Sequence, residues 1–210
     1  KVDPVKRNTA KAYSLGIAYG MEAYALGRTL EVDQKTAQEL VNGYLDGFPQ
    51  LKEWRERSRE QVKAYGQISN YVGRVRHLPR VKKIYSKFGD RMMDWRFRKE
   101  LEVQYGRDQV MKAYRDYRNG LNNCLNFQLQ SLAAAVVNRA ALAINRKAKE
   151  LGIDARVQAQ VHDQLIINVD EKDAEMFSSH VQHIMETTTN LPGVTLKAPP
   201  EISNNWRDGH

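Results

Sequence analysis

The sequence predicts an α+β fold in which helices predominate and two short pairs of strands interrupt them. Helical stretches with recognisable caps and breaks occupy about residues 5–65 and return from about residue 126. Two other segments, "QISNYVGRVRHLP" and "ARVQAQVHDQLIINVD", alternate apolar and polar residues. Such alternation is typical of strands that bury one face.

The first zone, residues 5–65, is predicted to contain three helices. The opening helix carries "RNTAKAYSLGIAYGM". A second helix is expected from about Gln34 to Asp46, with Asp33 as its N-cap. A third follows Pro49 and ends at Gly66, because glycine accepts the left-handed backbone that closes many helices.

The middle of the chain is predicted to turn and then to form shorter helices. The segment "QISNYVGRVRHLP" should form a hairpin that turns at Gly73. The following segment is expected to be helical in pieces, with breaks at Gly89, Gly106 and Gly120. A long alanine-rich helix from Asn126 to Lys149 should precede the two strands that meet at "HDQ".

Composition excludes several classes of protein. The chain has 210 residues, of which 41% are hydrophobic, so it can form a core. The longest apolar run, "LAAAVV", is too short to cross a bilayer, and no signal-peptide pattern is present. We therefore expect a cytoplasmic protein without a membrane partner. The single cysteine, Cys124, excludes an internal disulfide and is expected to be a buried, unreactive thiol.

The positive charge is concentrated in one part of the chain. The formal net charge is +8, and residues 71–118, called the basic segment below, contain 14 Lys or Arg against 6 Asp or Glu. Aromatic residues are interleaved with these cations, a composition typical of surfaces that follow a phosphate backbone. A solvated helical face that aids solubility would show the same composition, so both interpretations stay open. Packing in a helical core is the favoured role of Trp95 and Phe97.

The opening helix has an unusual face. Arg7, Lys11, Leu15 and Tyr19 recur every four residues and therefore lie on one side of a helix. Two cations, an apolar side chain and a phenol in line are the groups that a nucleoside triphosphate requires from one rigid element.

A carboxylate lies at the predicted tip of the second strand pair. Asp163 stands between apolar strands, where a turn would hold it rigidly and direct it outward, as a metal ligand must be. Aspartate is also a common turn residue without any further role. From these residues alone, both alternatives remain.

Five segments in order resemble the family A DNA polymerases. "RNTAKAYSLGIAYGM" resembles their motif B, "QVHDQL" resembles motif C, and "NNWRDGH" is similar to their C-terminal tail. "GRVRHLP" and "NFQLQSLAAAVV" are similar to the segments between these motifs. The resemblance implies fingers over residues 1–72 with motif B at about 5–20, a palm entry with a basic insertion over 73–125, and a palm with motif C over 126–210. Residues 82–121 are expected to be an insertion relative to the bacterial members.

The resemblance assigns roles to the opening helix. Its nucleotide-binding residues would be Arg7, Lys11, Leu15 and Tyr19. Lys11 would also be catalytic, since it would assist the departing pyrophosphate. Gly16 and Gly20 would allow close packing as the helix moves between open and closed positions.

The resemblance also implies a primer–template surface. Its residues would be Arg74, Asn126, Gln130, His162 and Gln164. Asn126 and Gln130 are four residues apart, and both amides can donate to the acceptors that every base pair presents in the minor groove. For Asn126, ordinary helix capping remains an alternative.

The expected cofactor is a pair of Mg²⁺ ions. Two-metal phosphoryl transfer needs carboxylates that bridge both ions, and by the resemblance this chain supplies only Asp163. The family's other aspartate lies in motif A, which is not found in this sequence. The expected partners are therefore a DNA primer–template, a dNTP, and an N-terminal polymerase segment or subunit that carries motif A and the thumb.

Two positions depart from the family pattern. Leu15 replaces the usual Phe or Tyr, which puts discrimination against altered sugars in doubt, and Gln164 replaces the usual Glu of motif C. These departures suggest a viral or otherwise divergent member, such as a phage polymerase. Because motif A is not found, the chain is expected to be either a natural subunit of a split polymerase or a piece of a longer one. The alternatives are a non-catalytic nucleic-acid-binding module derived from a polymerase and a single-subunit RNA polymerase, although the motifs are closer to the DNA enzymes.

Overall fold

The computed structural model describes residues 3–205 and residue 207. The elements in chain order are α1 (Pro4–Ala18), α2 (Ala23–Leu30), α3 (Gln34–Gly47), α4 (Pro49–Tyr65), β1 (Gln67–Ser69), β2 (Val75–His77), α5 (Pro79–Phe88), a 3₁₀ helix (Gly89–Met93), α6 (Trp95–Tyr105), α7 (Arg107–Leu151), β3 (Ala155–Val161), β4 (Gln164–Val169) and α8 (Glu171–Thr187). Strands β1 and β2 form one antiparallel pair, and β3 and β4 form another. The predicted α+β class is confirmed. The chain divides into two compact units, residues 1–129 and 130–210, with the boundary inside α7.

The first three helices pack around a small apolar cluster. Ile17 of α1 and Leu26 of α2 are fully buried there, together with Val41 of α3. The hydroxyl of Tyr13 donates a hydrogen bond to the carbonyl oxygen of Leu40 at 2.6 Å, which fixes α1 against α3. Helix α2 was not predicted, because its eight residues begin without a side-chain cap.

The predicted ends of α3 and α4 are confirmed. Oδ1 of Asp33 accepts hydrogen bonds from the backbone N–H groups of Lys35 and Thr36 at 2.9 and 3.0 Å. These bonds satisfy two of the free donors at the start of α3. Gly66 ends α4 with φ 69°, in the left-handed region, and its N–H donates to the carbonyl of Val62 at 2.8 Å.

The predicted hairpin at Gly73 is also confirmed. Gly73 has φ 84°, and Oδ1 of the buried Asn70 accepts from the backbone N–H groups of Val72 and Arg74. An asparagine side chain that accepts hydrogen bonds from the backbone ahead of it stabilises a turn. The hairpin holds Arg74 at its tip.

Two of the three helix breaks predicted after the hairpin are confirmed. Gly89 and Gly106 separate α5, the 3₁₀ helix, α6 and α7 as expected. The predicted break at Gly120 is wrong, since this residue lies inside α7. The predicted helix from Asn126 to Lys149 is therefore only the later part of a helix of 45 residues.

Gly120 serves helix packing instead of chain reversal. A Cβ at this position would overlap Cγ2 of Val81, so α5 approaches α7 as closely as it does only because residue 120 has no side chain. Val81 is 1% exposed and belongs to the main apolar cluster of the first unit. That cluster also contains Met92, Leu101 and Tyr117. The predicted insertion thus supplies core residues and is not a separable appendage.

Replacing Gly120 by Ala is expected to lower the free energy of unfolding by about 1–3 kcal/mol. The added methyl would collide with Val81, whose β-branched side chain has little rotational freedom. Gly43→Ala is the matched control, because Gly43 is an exposed position of α3 with no atom near the added Cβ. There, alanine should raise stability by about 0.5–1 kcal/mol. Urea denaturation measures both changes, and a gain of stability in Gly120→Ala would contradict the close approach.

One aromatic residue departs from its expected role. Phe97 packs against the main cluster, with its ring centroid 6.1 Å from that of Phe88. The side chain of Trp95 does not pack in the core, since it is 62% exposed. Trp95 is the first residue of α6, directly after the N-cap Asp94, so it lies outside the buried stripe of the helix.

Cys124 is fully buried as predicted, and burial raises the pKa of its thiol to about 11.

An ion-pair cluster around the buried Lys63 joins the 3₁₀ helix to α4 and α7, and its carboxylate partners Asp90 and Glu60 are 59% and 62% exposed. The ammonium of Lys63 is 2.8 Å from Asp90 and 2.7 Å from Glu60, and the hydroxyl of Tyr117 donates to Asp90 at 2.9 Å. The side chain of Lys63 is 9% exposed. Removal of one partner leaves the buried Lys63 or Tyr117 without its hydrogen-bond acceptor, which destabilises the folded state. The cluster therefore helps to hold the three elements together.

Asp90→Asn is expected to reduce the dependence of stability on pH in the acid range. Burial by itself raises the pKa of Asp90, but the hydrogen bonds from Lys63 and Tyr117 outweigh it and hold the pKa below its ordinary value of 3.8. A carboxylate with a lowered pKa stabilises the fold above its ordinary pKa and loses this contribution as the pH falls through the lowered value. The Tm difference between the parent and Asp90→Asn should therefore be largest near about pH 7 and shrink in acid.

The control for this titration is Asp154→Asn, which removes a carboxylate from an exposed pair with Arg156 at 3.5 Å. Exposed pairs contribute little to stability, so its Tm should stay close to that of the parent. Thermal melts from neutral to acid pH measure both variants. A Tm deficit of Asp90→Asn that is constant across this range would contradict the assigned role.

The second unit contains the rest of α7, the β3–β4 hairpin and α8. Ile144 and Ala148 of α7 are buried together with Phe177 of α8 and Ala155 of β3. The pairing of β3 with β4 is irregular between Val157 and Ala159, where β3 has one extra residue. Both predicted strands are confirmed, whereas α8 was not predicted.

Helix α7 is long and apolar enough in part to meet the criterion for a membrane-spanning helix. The criterion rests on length and composition alone, and interior helices of water-soluble proteins also satisfy it. Of the 18-residue stretch concerned, 22% is buried within the part of the chain that the structure describes.

Candidate functional site

The outer face of α1 presents the residues predicted to bind a nucleotide. Arg7 and Lys11 are exposed and Leu15 is 45% exposed, whereas Ile17 faces the apolar cluster. Neither cation has an ion pair or a side-chain hydrogen bond among the described residues. Tyr19 follows the end of α1, but its N–H still donates to the carbonyl of Leu15 at 2.9 Å, so the helical spacing extends to it.

The C-terminal end of α1 is held by a buried arginine of α4. Arg55 is 6% exposed, and its Nη1 donates to the carbonyl oxygen of Ile17 at 2.9 Å. Burial lowers the pKa of Arg55 below its ordinary value, but an arginine remains charged in proteins. A cation here also complements the partial negative charge of the helix end. Sequence reasoning missed Arg55, because no local pattern shows that it faces a neighbouring helix.

Two glycines allow the chain after α1 to pack tightly. Gly20 has φ 97°, and a Cβ there would lie 3.2 Å from Oδ1 of Asn122 and 3.3 Å from Leu125. A Cβ at Gly16 would lie 2.7 Å from the terminal methyl of Met21. The close packing predicted for Gly16 and Gly20 is present, and movement of α1 stays a prediction.

The β1–β2 hairpin carries two exposed arginines close to α7. Arg74 directly precedes β2, and Arg76 lies within β2. The guanidinium of Arg76 lies 5.9 Å from the ring centroid of Phe127 in α7. This cation–π contact places the hairpin beside the helix that carries Asn126.

The two amides predicted to contact the primer–template both belong to α7. Asn126 is half-buried, and its Oδ1 is buried without a hydrogen-bond partner among the described residues. A contact with a base pair would use the amide nitrogen as donor, which is compatible with an inward Oδ1. Gln130 is exposed. The neighbouring Gln128 is engaged, since its Nε2 donates to Oγ of Ser58 at 2.9 Å.

The β3–β4 hairpin turns through only two residues, His162 and Asp163. Val161 pairs with Gln164, which is the first residue of β4 and not part of the turn. His162 has φ 56°, a left-handed conformation that is uncommon for residues other than glycine and is found at functional sites. Nε2 of Gln160 donates to the carbonyl of His162 at 3.3 Å.

Asp163 has the geometry of a free ligand at this turn. His162, Asp163 and Gln164 are exposed, and Asp163 has no ion pair or hydrogen bond among the described residues. Over residues 3–205 and 207, no group of three His, Cys, Asp or Glu side chains comes together in a way that could hold a metal ion. A single carboxylate is too small a ligand set for a divalent cation, so Asp163 would need further ligands.

The predicted site residues are divided between the two units. The first unit contains Arg7, Lys11, Leu15, Tyr19, Arg74 and Asn126. The second contains Gln130, His162, Asp163 and Gln164. Within the predicted tail "NNWRDGH", Trp206 and residues 208–210 lie outside the described residues.

The chain is similar to known DNA polymerases over nearly all of its length. The model of DNA polymerase family A matches residues 1–208. DNA polymerase I of Pseudomonas aeruginosa is 29% identical over 205 residues, which are 98% of this chain and 19% of that protein. The thermostable DNA polymerase I of Thermus aquaticus is 26% identical over 205 residues, or 98% of this chain and 21% of that protein. The chain therefore spans about a fifth of the length of these relatives.

A solved structure is similar in fold. It is the POL domain of Pol1 from M. smegmatis, in complex with DNA primer-template and dNTP, with a TM-score of 0.71 and 25% sequence identity. The similarity covers 91% of this chain and 29% of that one.

Proposed function

Because this chain belongs to DNA polymerase family A, we propose that it takes part in template-directed DNA synthesis as the C-terminal portion of a polymerase. In this reaction the 3′ oxygen of a primer attacks the α-phosphorus of a dNTP. The bond to the pyrophosphate oxygen breaks, and the hydroxyl proton is released. The observation that carries the proposal is the exposed pair Arg7 and Lys11, which have no partners of their own among the described residues, on a helix that is anchored at its other end.

The outer face of α1 is proposed to bind the incoming nucleotide. Arg7 and Lys11 would contact its phosphates, because cations without internal partners are free to form charge-assisted hydrogen bonds. Lys11 would also stabilise the charge that builds up on the departing pyrophosphate. Leu15 would lie against the new base pair, and Tyr19 would occupy the place where the templating base arrives.

The hairpin tips and α7 are proposed to bind the primer–template. Arg74 would contact the phosphate backbone. Asn126 and Gln130 would donate to minor-groove acceptors, which detect the shape of a base pair and not its sequence. His162 and Gln164 flank Asp163 and would lie near the primer terminus.

Asp163 is proposed to be this chain's ligand for Mg²⁺. Its exposed, unpaired carboxylate at a tight turn fits such a role. When bound, Mg²⁺ would polarise phosphoryl oxygens and lower the pKa of the primer hydroxyl. This chain's contribution is to hold the carboxylate in place, and the short β3–β4 turn provides that rigidity.

A further segment or subunit is proposed to complete the catalytic centre. It would carry motif A, whose aspartate adds to the ligands of Asp163, and the thumb. The small buried fraction of the apolar stretch in α7, 22%, supports this requirement, since most of that stretch is open to packing against more protein.

Primer extension tests the proposal. The 210-residue chain is assayed with primer–template, dNTPs and Mg²⁺, both alone and joined to a segment that carries motif A and the thumb of a family A polymerase. We expect extension by the joined protein and none by the chain alone. Extension at the same rate by the chain alone would contradict the need for a second segment. Tight primer–template binding without extension by the joined protein would instead favour a non-catalytic binding module, the function compatible with a lone carboxylate.

A further inference from the structure

A groove with a volume of about 550 Å³ opens on the first unit, away from the residues assigned above. It lies where α4 ends, β2 ends and α5 begins. Its polar and aromatic lining residues are Tyr65, Gln67, His77, Lys82, Lys83 and Ser86. None of the residues proposed to bind nucleotide, metal or primer terminus contributes to it.

The charged side chains that line this groove are both lysines, with no carboxylate beside them. Lys82 and Lys83 are adjacent, exposed residues of α5, and no Asp or Glu lines the groove. Neither lysine has an ion pair or a side-chain hydrogen bond among residues 3–205 and 207. Two unpaired ammonium groups in a concave surface attract an anionic chain more strongly than the same groups on a convex one.

Most other cations of the basic segment are already engaged. Arg80 pairs with Asp116 at 2.7 Å, and Lys99 pairs with Glu102 at 2.7 Å. Several others lie over aromatic rings, namely Lys87, Arg91, Arg98 and Arg118. The surplus charge of the segment is therefore not spread evenly, and Lys82 and Lys83 are among the few cations left free to bind a partner.

An exposed aromatic ring lies at the same groove. Tyr65 is the last residue of α4 and is 70% exposed. The backbone next to it is fixed, since the N–H of Leu78 donates to the carbonyl of Gly66 at 2.6 Å and joins the end of the hairpin to the end of α4. An exposed ring on a hydrogen-bonded stretch of backbone beside cations is the arrangement that binds an unstacked base next to its phosphates.

We propose that this groove binds single-stranded nucleic acid. Lys82 and Lys83 contact successive phosphates, and one base stacks on Tyr65. Gln67, His77 and Ser86 supply hydrogen-bonding groups to the sugar and phosphate. A duplex fits less well, because its bases are already stacked and cannot cover Tyr65. The proposal rests on the proposed function in one respect, since a polymerase's template is single-stranded ahead of synthesis.

Fluorescence anisotropy with a labelled single strand of about 12 nucleotides tests the site, and a blunt hairpin duplex serves as the comparison probe. The double variant Lys82→Ala/Lys83→Ala should bind the single strand about tenfold more weakly, with a salt dependence shallower by about 1.4 log–log units. Tyr65→Leu should bind roughly tenfold more weakly with an unchanged salt slope, and Tyr65→Phe should bind like the parent.

Lys112→Ala/Arg115→Ala is the matched control. It removes the same charge from exposed positions of α7 in the basic segment, and it should leave most of the single-strand affinity and its salt slope intact. Equal losses in the control and the Lys82/Lys83 variant would overturn the groove as a site, because the attraction would then come from net charge alone. Unchanged binding of the single strand in Tyr65→Leu, or a loss of duplex binding in Lys82→Ala/Lys83→Ala as large as its loss of single-strand binding, would also overturn it.

The proposed function can fail independently of the groove. If the joined protein binds the single strand through the groove but incorporates no nucleotide, the groove stands and the polymerase assignment falls. If the joined protein extends primers while the groove variants bind the single strand like the parent, the polymerase assignment stands and the groove proposal falls. Circular dichroism melts of each variant confirm that a loss of binding is not a loss of fold.

Discussion

Replacing Asp163 by Asn is expected to abolish nucleotide incorporation by the joined protein while leaving primer–template binding close to that of the parent. An amide keeps the shape of the side chain but loses the charge that a hard divalent cation requires. Mutation of a residue that only hydrogen-bonds to a metal ligand already lowers activity by about 10- to 100-fold. Mutation of a direct ligand should therefore lower the rate of incorporation by more than about 100-fold. Single-turnover incorporation and equilibrium binding of primer–template measure the two effects.

Asp154→Asn is the control for Asp163→Asn. Asp154 precedes β3 and is exposed, so its replacement changes the net charge equally without reaching the turn. Incorporation by this variant should match the parent. Equal losses of binding and incorporation in Asp163→Asn would indicate that the residue serves the turn and not the chemistry.

Lys11→Ala is expected to lower the maximal rate of incorporation by about 100-fold and to weaken nucleotide binding as well. Charge builds up on the departing pyrophosphate in the transition state, so an ammonium at this position stabilises the transition state more than the bound nucleotide. Single-turnover rates over a range of dNTP concentrations separate the two effects.

The control for Lys11 is Lys35→Ala, since Lys35 is an exposed lysine of α3 whose side chain has no partner among the described residues. It should incorporate nucleotide like the parent. A Lys11→Ala variant with an unchanged rate at saturating nucleotide would assign the lysine to ground-state binding only.

The parts of the fold that local chemistry determines were predictable from the sequence. Asp33 caps α3 because its short side chain can accept hydrogen bonds from backbone N–H groups two and three residues later. Gly66 ends α4 because glycine tolerates positive φ. The two hairpins were predictable because alternation and turn residues are also local signals. Helices α2 and α8 were both missed: α2 begins after Glu22, which is not a favoured N-cap residue, whereas α8 does carry local start signals, with Asp170 as N-cap and Glu171 and Asp173 in its first turn.

Errors arose where tertiary packing decided the role of a residue. A glycine such as Gly120 usually indicates a break in a helix. Here residue 120 must lack a side chain because Val81, 39 positions earlier in the sequence, packs directly against it. Trp95 has the composition of a core residue, yet its position at the start of α6 leaves it exposed. For Gly120 the deciding neighbour is distant in sequence, so no local pattern contains it; for Trp95 the position directly after the N-cap Asp94 outweighs the composition.

The candidate site shows the same division. The face formed by Arg7, Lys11 and Leu15 follows from helical spacing, and its exposure agrees with that prediction. The anchoring of α1 by Arg55 could not be predicted, since it depends on α4 crossing the end of α1. The roles of the site residues stay predictions until nucleotide and primer–template binding are measured.

Template dependence of single-nucleotide incorporation tests the central claim most directly. The chain joined to a segment that carries motif A and the thumb is mixed with four primer–templates that differ only in the templating base, and each dNTP is supplied separately with Mg²⁺. Template-directed synthesis predicts rapid incorporation of only the complementary nucleotide on each template, and loss of all four reactions in Asp163→Asn. Incorporation that ignores the template, or none on any template despite tight binding, would contradict the assignment.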